Sequence, residues 1–247
     1  MDPAASQKRA FASDTLPKAI LLDMDDTILA YSEGAEGTWR TLCAGVAPRL
    51  SLQSQTLYDA VERQRLWYWS DPDRHRDGRQ DMDASRAEIF RAALAGLGVE
   101  AGPLPAEIAR QFADLREGAI RPFPGAIEKM EMWRSAGVRL ALLTNGGAKY
   151  QRAKIERLGL ARHFDCVLVE GECGVGKPDE RMYRRALEAL DSTPSEAWMV
   201  GDNLEWEVLA PQRLGMAGIW VDFRGEGLPP GSPVRPDRII RALAELP

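Results

Sequence analysis

LLDMDDTIL, residues 21–29, places three aspartates directly after a short apolar run. The run AILL (19–22), which ends at a polar residue, is typical of a buried strand. Asp23, Asp25 and Asp26 carry like charges, so each carboxylate resists ionisation unless a cation lies near. Hard oxygen ligands of this kind suit Mg2+. The segment therefore predicts a cation site at a strand end, although a helix N-terminus with acids in its first turn has the same pattern.

Four later segments repeat the form of an apolar run followed by polar or glycine residues. They are VRLALLTN (138–145), DCVLVE (165–170), AWMVGD (197–202) and AGIWVD (217–222). Amphipathic stretches at helical spacing lie between them. Strands that alternate with helices indicate βαβ units. We therefore predict an α/β fold, with a Rossmann-like parallel sheet as core and helices on both faces.

Ligands of such sheets bind beyond the carboxyl ends of the strands. This rule selects four positions along the chain: Asp23, Thr144–Asn145, the 171–177 loop and Gly201–Asp202. Since each follows an apolar run directly, we expect these residues to form one site.

Residues 32 to 118 break the alternation, because they contain helical patterns and no convincing strand run. We predict that 32–118 form an α-helical cap inserted into a core made of 1–31 and 119–247. Within the cap the polar segment DPDRHRDGRQD (71–81) is interpreted as a loop.

Three further segments complete the predicted organisation. RPFPGA (121–126) marks the return from cap to core, and with the chain near residue 32 it is expected to act as a hinge. IIRALAEL (239–246) is interpreted as a short final helix. The start of the chain (1–18) lacks the apolar core of a secretory signal and is expected to be a polar arm.

DMDDT resembles the D-x-D-x-T opening motif of the haloacid dehalogenase-like hydrolase superfamily. The other three motifs of that superfamily appear in order, as Thr144 in LLTNG, Lys177 in GKPD, and VGDNLEWEV, which is similar to the acidic G-D-x-x-x-x-D. The resemblance spans residues 18 to about 222. It is closest to the phosphatase branch with a helical cap inserted after the first motif.

The resemblance implies a role for each matching residue. Asp23 would be the nucleophile that forms an aspartyl-phosphate. Asp25 would protonate the leaving oxygen and then activate water. Mg2+ would be held by the Asp23 carboxylate, the Asp25 backbone carbonyl and Asp202. The remaining phosphoryl oxygens would be held by three groups: Thr144, the Asn145 backbone amide and Lys177.

Two positions depart from the motifs. Residue 207 is Glu, where the superfamily usually has Asp, and we expect its longer side chain still to reach the water shell of the metal. Asp26 follows Asp25 where Gly is common. We interpret Asp26 as a solvated turn acid rather than a third metal ligand.

Asp25 also bears on the type of reaction. The related dehalogenases lack an acid at this position, since halide departure needs no proton, so Asp25 favours phosphoryl transfer. We predict a Mg2+-dependent phosphatase that acts on a small phosphorylated metabolite, of the sugar phosphate, nucleoside monophosphate or phosphoglycolate type. A phosphomutase and a non-catalytic phosphate-binding regulator are the alternatives.

GECGVGKP (171–178) stops one residue short of a nucleotide-binding P-loop. Pro178 has neither the hydroxyl that would bind magnesium nor a backbone N–H for phosphate. We therefore interpret the glycines as a flexible approach that delivers Lys177, with Pro178 starting the next helix.

Aromatic and basic residues of the predicted cap are candidates for substrate recognition. Trp67, Tyr68 and Trp69 are adjacent, so they cannot all face one way on a helix; we expect two to pack in the cap and one to be free to stack on a substrate. Trp39 is interpreted either as lining the entrance of the site or as packing in the protein interior.

Six basic residues are expected either to bind an anionic substrate tail or to lie in a solvated polar loop: Arg63, Arg65, Arg74, His75, Arg76 and Arg79.

Composition excludes several classes of protein. The formal net charge is −5 without a basic stripe, which argues against a nucleic-acid partner. No segment has the roughly 20 consecutive apolar residues of a membrane span, so no membrane association is expected. The three cysteines have no metal-ligand spacing and are expected to be free thiols. We expect a cytoplasmic monomer or homodimer.

Overall fold

The computed structural model of the protein describes residues 15–247, which form a six-stranded sheet with helices around it. The strands are β1 (Ala19–Leu22), β2 (Arg139–Thr144), β3 (Cys166–Val169), β4 (Ala197–Gly201), β5 (Ala217–Val221) and β6 (Arg238–Ile240). All neighbouring strands are parallel, in the order β3-β2-β1-β4-β5-β6. The predicted Rossmann-like α/β class is confirmed, and β1 lies at the centre of the sheet.

The two faces of the sheet are covered by different helices. Because side chains alternate along a strand, Ile20 and Leu22 of β1 pack into one apolar cluster while Leu21 packs into another. The first cluster includes residues of α6 (Ala126–Ser135) and α7 (Ala148–Arg157), and the second includes residues of α9 (Glu180–Ala189) and α10 (Ala210–Leu214). Every residue of β1 is buried. The strand ends, and the site residues that follow them, are thereby held from both sides.

Within the described chain, six α-helices lie between β1 and β2, and the first five form the helical insert. These five are α1 (Ala35–Val46), α2 (Ser54–Trp69), α3 (Pro72–Gly78), α4 (Met82–Gly96) and α5 (Leu104–Ala119). Their apolar faces meet in a cluster of their own, which contains Trp39, Leu57 and Phe90. This separate core supports the predicted helical cap over 32–118. The assignment of 32–118 as a domain of its own stays a prediction.

The two chain segments that connect these helices to the sheet run side by side. The Ala30 N–H donates to the Arg121 carbonyl at 2.9 Å, and the Phe123 N–H donates to the Ile28 carbonyl at 2.8 Å. Leu29 and Pro122 form an antiparallel bridge between them. The chain therefore enters and leaves the helical insert at one place.

The prediction of a loop over 71–81 is wrong, because α3 occupies most of it. Asp71 caps this helix by accepting a hydrogen bond from the Arg74 N–H at 2.8 Å, and Pro72 lies in the first turn. An acidic cap followed by proline is a favourable helix start. The high charge of the segment hid this signal, since α3 buries only Gly78.

The predicted final helix (239–246) is also wrong. Arg238–Ile240 form β6, which pairs with β5 in parallel register, and only the single 3-10 turn Leu243–Glu245 follows. Ile240 is 1% exposed and Ile239 is 46% exposed. This alternation is that of an edge strand, and the pairing with β5 outweighs the weak helical pattern.

Short helical segments complete the described residues. The α8 helix is Glu170–Cys173, a π-helical segment covers Leu204–Leu209, and further 3-10 turns cover Ala47–Leu50, Leu160–His163 and Pro194–Glu196. Within 15–247, none of the helices has both the length and the apolar composition needed to cross a membrane. Residues 1–14 of the predicted polar arm (1–18) lie outside the described residues.

Candidate active site

Asp23, Lys177 and Glu207 form a buried ion cluster at the carboxyl ends of β1 and β4. Lys177 Nζ lies 2.5 Å from Asp23 Oδ1 and 2.8 Å from Glu207 Oε1. The Asp23 N–H donates to the Val200 carbonyl at 3.0 Å, which ties the turn after β1 to β4. Lys177 and Glu207 are each 1% exposed. Residues 23 and 177, far apart in the chain, are thus in direct contact as expected.

The cluster has more negative than positive charge. Burial raises the pKa of Asp23 above its ordinary value, against the opposing charge of Lys177. Burial also raises the pKa of Glu207 to about 7. Burial opposes the charged form of Lys177, but Asp23 and Glu207 outweigh it and raise its pKa. One lysine therefore does not fully compensate the carboxylates around it.

Asp202 adds a further carboxylate beside this cluster. It follows β4, and its backbone carbonyl accepts a hydrogen bond from the Trp220 Nε1–H at 2.7 Å. Burial, together with the charges of Asp23 and Glu207, raises the pKa of Asp202 to about 9. The residue before it, Gly201, allows the Glu207 side chain to lie close to the backbone at the end of β4, because a Cβ at position 201 would overlap Glu207 Cγ.

Asp25 is held by two residues of α7. Lys154 and Gln151 both donate to Asp25 Oδ2, the latter at 3.2 Å. The other oxygen, Oδ1, is buried and has no hydrogen-bond partner among residues 15–247. A buried carboxylate oxygen without a partner is costly. Asp25 therefore presents one fixed, unoccupied oxygen.

Thr144 and Asn145 follow β2 and organise the loop that carries Lys177. The Asn145 side chain accepts from the Lys177 N–H at 2.8 Å and donates to the Lys177 carbonyl at 2.7 Å. Gln151 Nε2 donates to Thr144 Oγ1 at 2.7 Å and to the Asn145 carbonyl at 2.5 Å. Because the side-chain amide of Asn145 is occupied in this way, an anion would meet its backbone N–H, the group that the resemblance implies.

Asp26 is buried, so its interpretation as a solvated acid is wrong, although it does belong to a turn. It has φ 61° and accepts hydrogen bonds from the backbone N–H groups of Tyr31, at 3.1 Å, and Ser32, at 2.7 Å. The Ser32 hydroxyl donates to it as well. Asp26 thus fixes the segment that leaves the sheet toward α1.

The glycine loop before Lys177 is closely packed rather than a flexible approach. A Cβ at Gly171 would overlap the Ala148 backbone N, and a Cβ at Gly176 would overlap the Glu170 and Asn145 side chains. Pro178 does not start the following helix either. Asp179 is the N-cap of α9 and accepts from the Arg181 N–H at 2.9 Å. The glycines serve close contact, and an acidic cap starts the helix.

A cavity of about 440 Å³ lies between these strand ends and the helical insert. Asp23, Asp25 and Thr144 line it from the sheet side. From the helical side it is lined by aromatic and basic residues that include Trp39, Trp69, Arg65, His75, Arg79, Arg86 and Arg116. The site is therefore a partly open cavity with walls from both parts of the chain.

The aromatic and basic candidates of the insert separate into two groups. Tyr68 is buried, Trp69 is half-buried and lines the cavity, and Trp67 is 54% exposed with the Arg74 guanidinium over its ring. Trp39 both packs and lines the cavity. Arg65, His75 and Arg79 line it, whereas the described lining does not include Arg63, Arg74 or Arg76.

The donor set at the strand ends fits a magnesium ion. Within residues 15–247 no three acidic, histidine or cysteine side chains gather closely enough to hold an ion by themselves. Two carboxylates, Asp23 and Asp202, and the Asp25 carbonyl are the oxygen donors that the sequence predicts, and Mg2+ keeps several waters in such sites. Burial, together with neighbouring carboxylates, raises the pKa values of Asp23 and Asp202, so a cation bound here would favour their ionised forms.

Comparison with known proteins assigns the family. The family model described as a haloacid dehalogenase-like hydrolase matches residues 17–215. The chain belongs to the haloacid dehalogenase-like (HAD) hydrolases. A phosphoserine phosphatase from Thermus thermophilus is 35% identical to this HAD hydrolase, over 93% of this chain and 97% of that protein. A glyceraldehyde 3-phosphate phosphatase from Methanopyrus kandleri is 28% identical, over 82% of each chain.

A solved structure shares this fold. The HAD-hydrolase YfnB from Bacillus subtilis, in a magnesium-bound crystal structure, matches this HAD hydrolase with a TM-score of 0.69 at 22% identity. The match covers 94% of this chain and 97% of that chain. The predicted family is confirmed, and so is the predicted enzyme class of phosphomonoester hydrolase.

Sequence reasoning missed several residues that line or hold this site. Gln151 and Lys154 lie one turn apart on α7, on the face that also carries the buried Ile155. Polar residues on the buried face of an amphipathic helix are a usable signal. Arg86 and Arg116 are likewise buried. No signal of this kind marks Glu170, whose partner Arg79 lies 91 residues away.

Proposed function

We propose that this HAD hydrolase is a Mg2+-dependent phosphatase of a small phosphorylated metabolite and acts through an aspartyl-phosphate on Asp23. The observation that carries the proposal is the contact of Lys177 Nζ with Asp23 Oδ1 at 2.5 Å, at the carboxyl end of the central strand. This contact orients the carboxylate and provides a positive charge where a phosphoryl group would be transferred.

In the first half of the reaction, an oxygen of Asp23 forms a bond to phosphorus while the bond from phosphorus to the leaving oxygen breaks. Lys177 stays beside the transferred group, with the Thr144 hydroxyl and the Asn145 N–H as further donors. Asp25 gives its proton to the leaving oxygen through Oδ1, which has no competing partner among the described residues.

In the second half, water attacks phosphorus and passes a proton to Asp25, and the bond from phosphorus to Asp23 breaks. Phosphate leaves, Asp23 is again a carboxylate, and Asp25 again holds a proton. Gln151 and Lys154 keep the Asp25 carboxyl group in one orientation through both halves. Fixed orientation of a proton donor lowers the barrier by reducing the entropy lost at the transition state.

Three groups would hold Mg2+: the Asp23 carboxylate, the Asp25 backbone carbonyl and Asp202. When bound, Mg2+ supplies positive charge that screens the phosphate dianion from the attacking carboxylate. The uncompensated charge at Asp23 and Asp202 supports this assignment.

The helical insert over 32–118 is proposed as the cap of this site. Its side chains form the wall of the cavity opposite Asp23, so they are placed to contact the leaving group and to exclude water. The relatives described above act on phosphoserine and on glyceraldehyde 3-phosphate. Their names support a small phosphorylated metabolite as the substrate class.

The proposal is tested by hydrolysis of p-nitrophenyl phosphate with Mg2+, with EDTA, and by the variant Asp23→Asn. We expect activity with Mg2+, its loss in EDTA and recovery when Mg2+ is returned. Asp23→Asn is expected to lose at least about 1,000-fold in kcat, because an amide is a poor nucleophile at phosphorus. Full activity of this variant would refute the mechanism. An inactive wild-type protein that still binds phosphate would favour the regulator.

A further inference from the structure

The charges that line the cavity are largely segregated. The sheet side carries five carboxylates and one lysine, namely Asp23, Asp25, Asp26, Asp202, Glu207 and Lys154. The helical side carries four arginines and one carboxylate among the described lining, namely Arg65, Arg79, Arg86, Arg116 and Glu117. With phosphate and Mg2+ at the sheet side, the leaving group of a substrate faces the arginines. The helical wall is therefore positioned to read the charge of the leaving group.

Two of the four arginines are neutralised by their own partners. Arg79 makes two hydrogen bonds to the Glu170 carboxylate, at 2.5 and 2.7 Å. Arg65 makes two to Glu62, at 2.6 and 2.8 Å. A guanidinium that is already paired with both carboxylate oxygens has little left to offer another anion.

Arg86 and Arg116 are compensated much less. Among the described residues, Arg86 makes one ion pair, of 3.3 Å to Asp83 Oδ1. Arg116 donates to the carbonyl oxygens of Glu33, at 2.5 Å, and Tyr31. Within the described chain no carboxylate forms an ion pair with Arg116.

The surroundings hold both guanidinium groups in place. Arg86 is 8% exposed and Arg116 is 4% exposed. The Arg86 guanidinium lies over the Phe112 ring, 4.7 Å from its centroid. Burial, with a further contribution from the charge of Arg86, lowers the pKa of Arg116. Two buried like charges with one weak carboxylate contact between them favour the binding of an anion.

We propose that Arg86, with the charge of Arg116 behind it, binds a carboxylate on the leaving group of the substrate. The proposal rests on the proposed function, because it assumes that the phosphoryl group lies at Asp23. A guanidinium offers two parallel donors that match the two oxygens of a carboxylate. Arg86 is thus a specificity residue for phosphomonoesters that carry a carboxylate, and sets them apart from phosphomonoesters that lack one.

The test compares two substrates that differ only in a carboxylate, O-phosphoserine and O-phosphoethanolamine, with p-nitrophenyl phosphate as the common reference. The wild-type enzyme is expected to prefer O-phosphoserine in kcat/KM by at least about 10-fold, since a site built around a charged hydrogen bond discriminates against the analogue that lacks it. Arg86→Gln is expected to reduce this ratio to near unity, mainly through KM for O-phosphoserine. Arg86→Lys keeps the positive charge but lacks the two parallel donors of the guanidinium. Its kcat/KM ratio is expected to lie between those of the wild type and Arg86→Gln.

The matched control is Arg91→Gln, an exposed position on the same helix that removes the same charge. It is expected to keep the wild-type ratio. If Arg86→Gln does not fold, as judged by circular dichroism, the wild-type preference alone decides, and its absence overturns the proposal. If the wild type and a folded Arg86→Gln have the same ratio of kcat/KM for O-phosphoserine over O-phosphoethanolamine, the proposal is also overturned. Absence of p-nitrophenyl phosphate hydrolysis by the wild type would instead refute the proposed function, and this inference with it.

Discussion

Glu207 is one of the two residues at which this chain departs from the motifs of its family, and its contacts explain the longer side chain. Glu207 Oε1 lies 2.8 Å from Lys177 Nζ, and Oε2 accepts from the Asn203 N–H at 2.8 Å. Gly201 leaves the space that the extra methylene occupies. The predicted contact of Glu207 with the water shell of a metal stays a prediction. What the geometry supports is a role in holding Lys177 beside Asp23.

Removal of the Glu207 carboxylate should therefore destabilise the fold. We expect Glu207→Ala to lower the free energy of unfolding by about 3 kcal/mol, because Lys177 and the Asn203 N–H lose a buried partner. Urea denaturation followed by circular dichroism measures this change. Glu205→Ala, an exposed acid of the same π-helical segment, is the control and should stay within about 0.5 kcal/mol of wild type. Equal stability of both variants would contradict the structural role.

At the scale of elements, α3 and the turn after it dock the helical insert onto the core. The Gly147 N–H donates to the Arg79 carbonyl at 3.0 Å, and the Arg79 side chain pairs with Glu170. Glu170 Oε2 also accepts from the Gly146 N–H at 2.7 Å. The loop after β2, which carries the phosphate-binding candidates, is thus joined to the insert through the Arg79–Glu170 ion pair and the backbone hydrogen bond from Gly147.

Loss of this ion pair should loosen the insert. Arg79→Ala is expected to speed amide exchange of Gly147 by about 30-fold, which corresponds to about 2 kcal/mol less free energy of opening. Hydrogen exchange read by mass spectrometry over residues 146–150 measures the effect. Arg76→Ala, an exposed arginine of the same helix, is the control. Unchanged exchange in Arg79→Ala would show that the other contacts alone hold the insert.

The elements that sequence predicts well are those whose signal is local. AILL at 19–22 and the four later apolar runs are strands, most of them buried on both faces, and the polar residues after them meet at one edge of the sheet. The strand Arg238–Ile240 is recognisable only through its pairing with β5, a contact absent from the local pattern. The same holds for Lys154, which reaches Asp25 across 129 residues.

At the scale of the whole molecule, the apolar core of the sheet and that of the helical insert lie on opposite sides of the cavity described above. One set of clusters surrounds the sheet and another lies among α1, α2, α4 and α5. The connecting segments run side by side at Leu29 and Pro122. In the proposed function, chemistry and recognition are carried by different parts of the chain, joined at a narrow crossing where motion is expected.

This arrangement predicts the effect of removing the insert. Ala30 and Arg121 are hydrogen-bonded neighbours, so a short glycine linker can join the chain there. The shortened protein, where circular dichroism shows it folded, is expected to keep hydrolysis of p-nitrophenyl phosphate and to lose discrimination among phosphorylated metabolites. A substrate panel measures the selectivity of both proteins. Unchanged selectivity of the shortened protein would contradict the assignment of the cap.

The most direct test of the central claim is chemical trapping of Asp23 during turnover. Borohydride reduces an acyl phosphate to an alcohol, so a phosphorylated aspartate becomes homoserine, which peptide mass spectrometry locates in the sequence. We predict homoserine at position 23, dependent on substrate and Mg2+ and absent in Asp23→Asn. Reduction at Asp25 instead, or active enzyme without any trapped residue, would contradict the account.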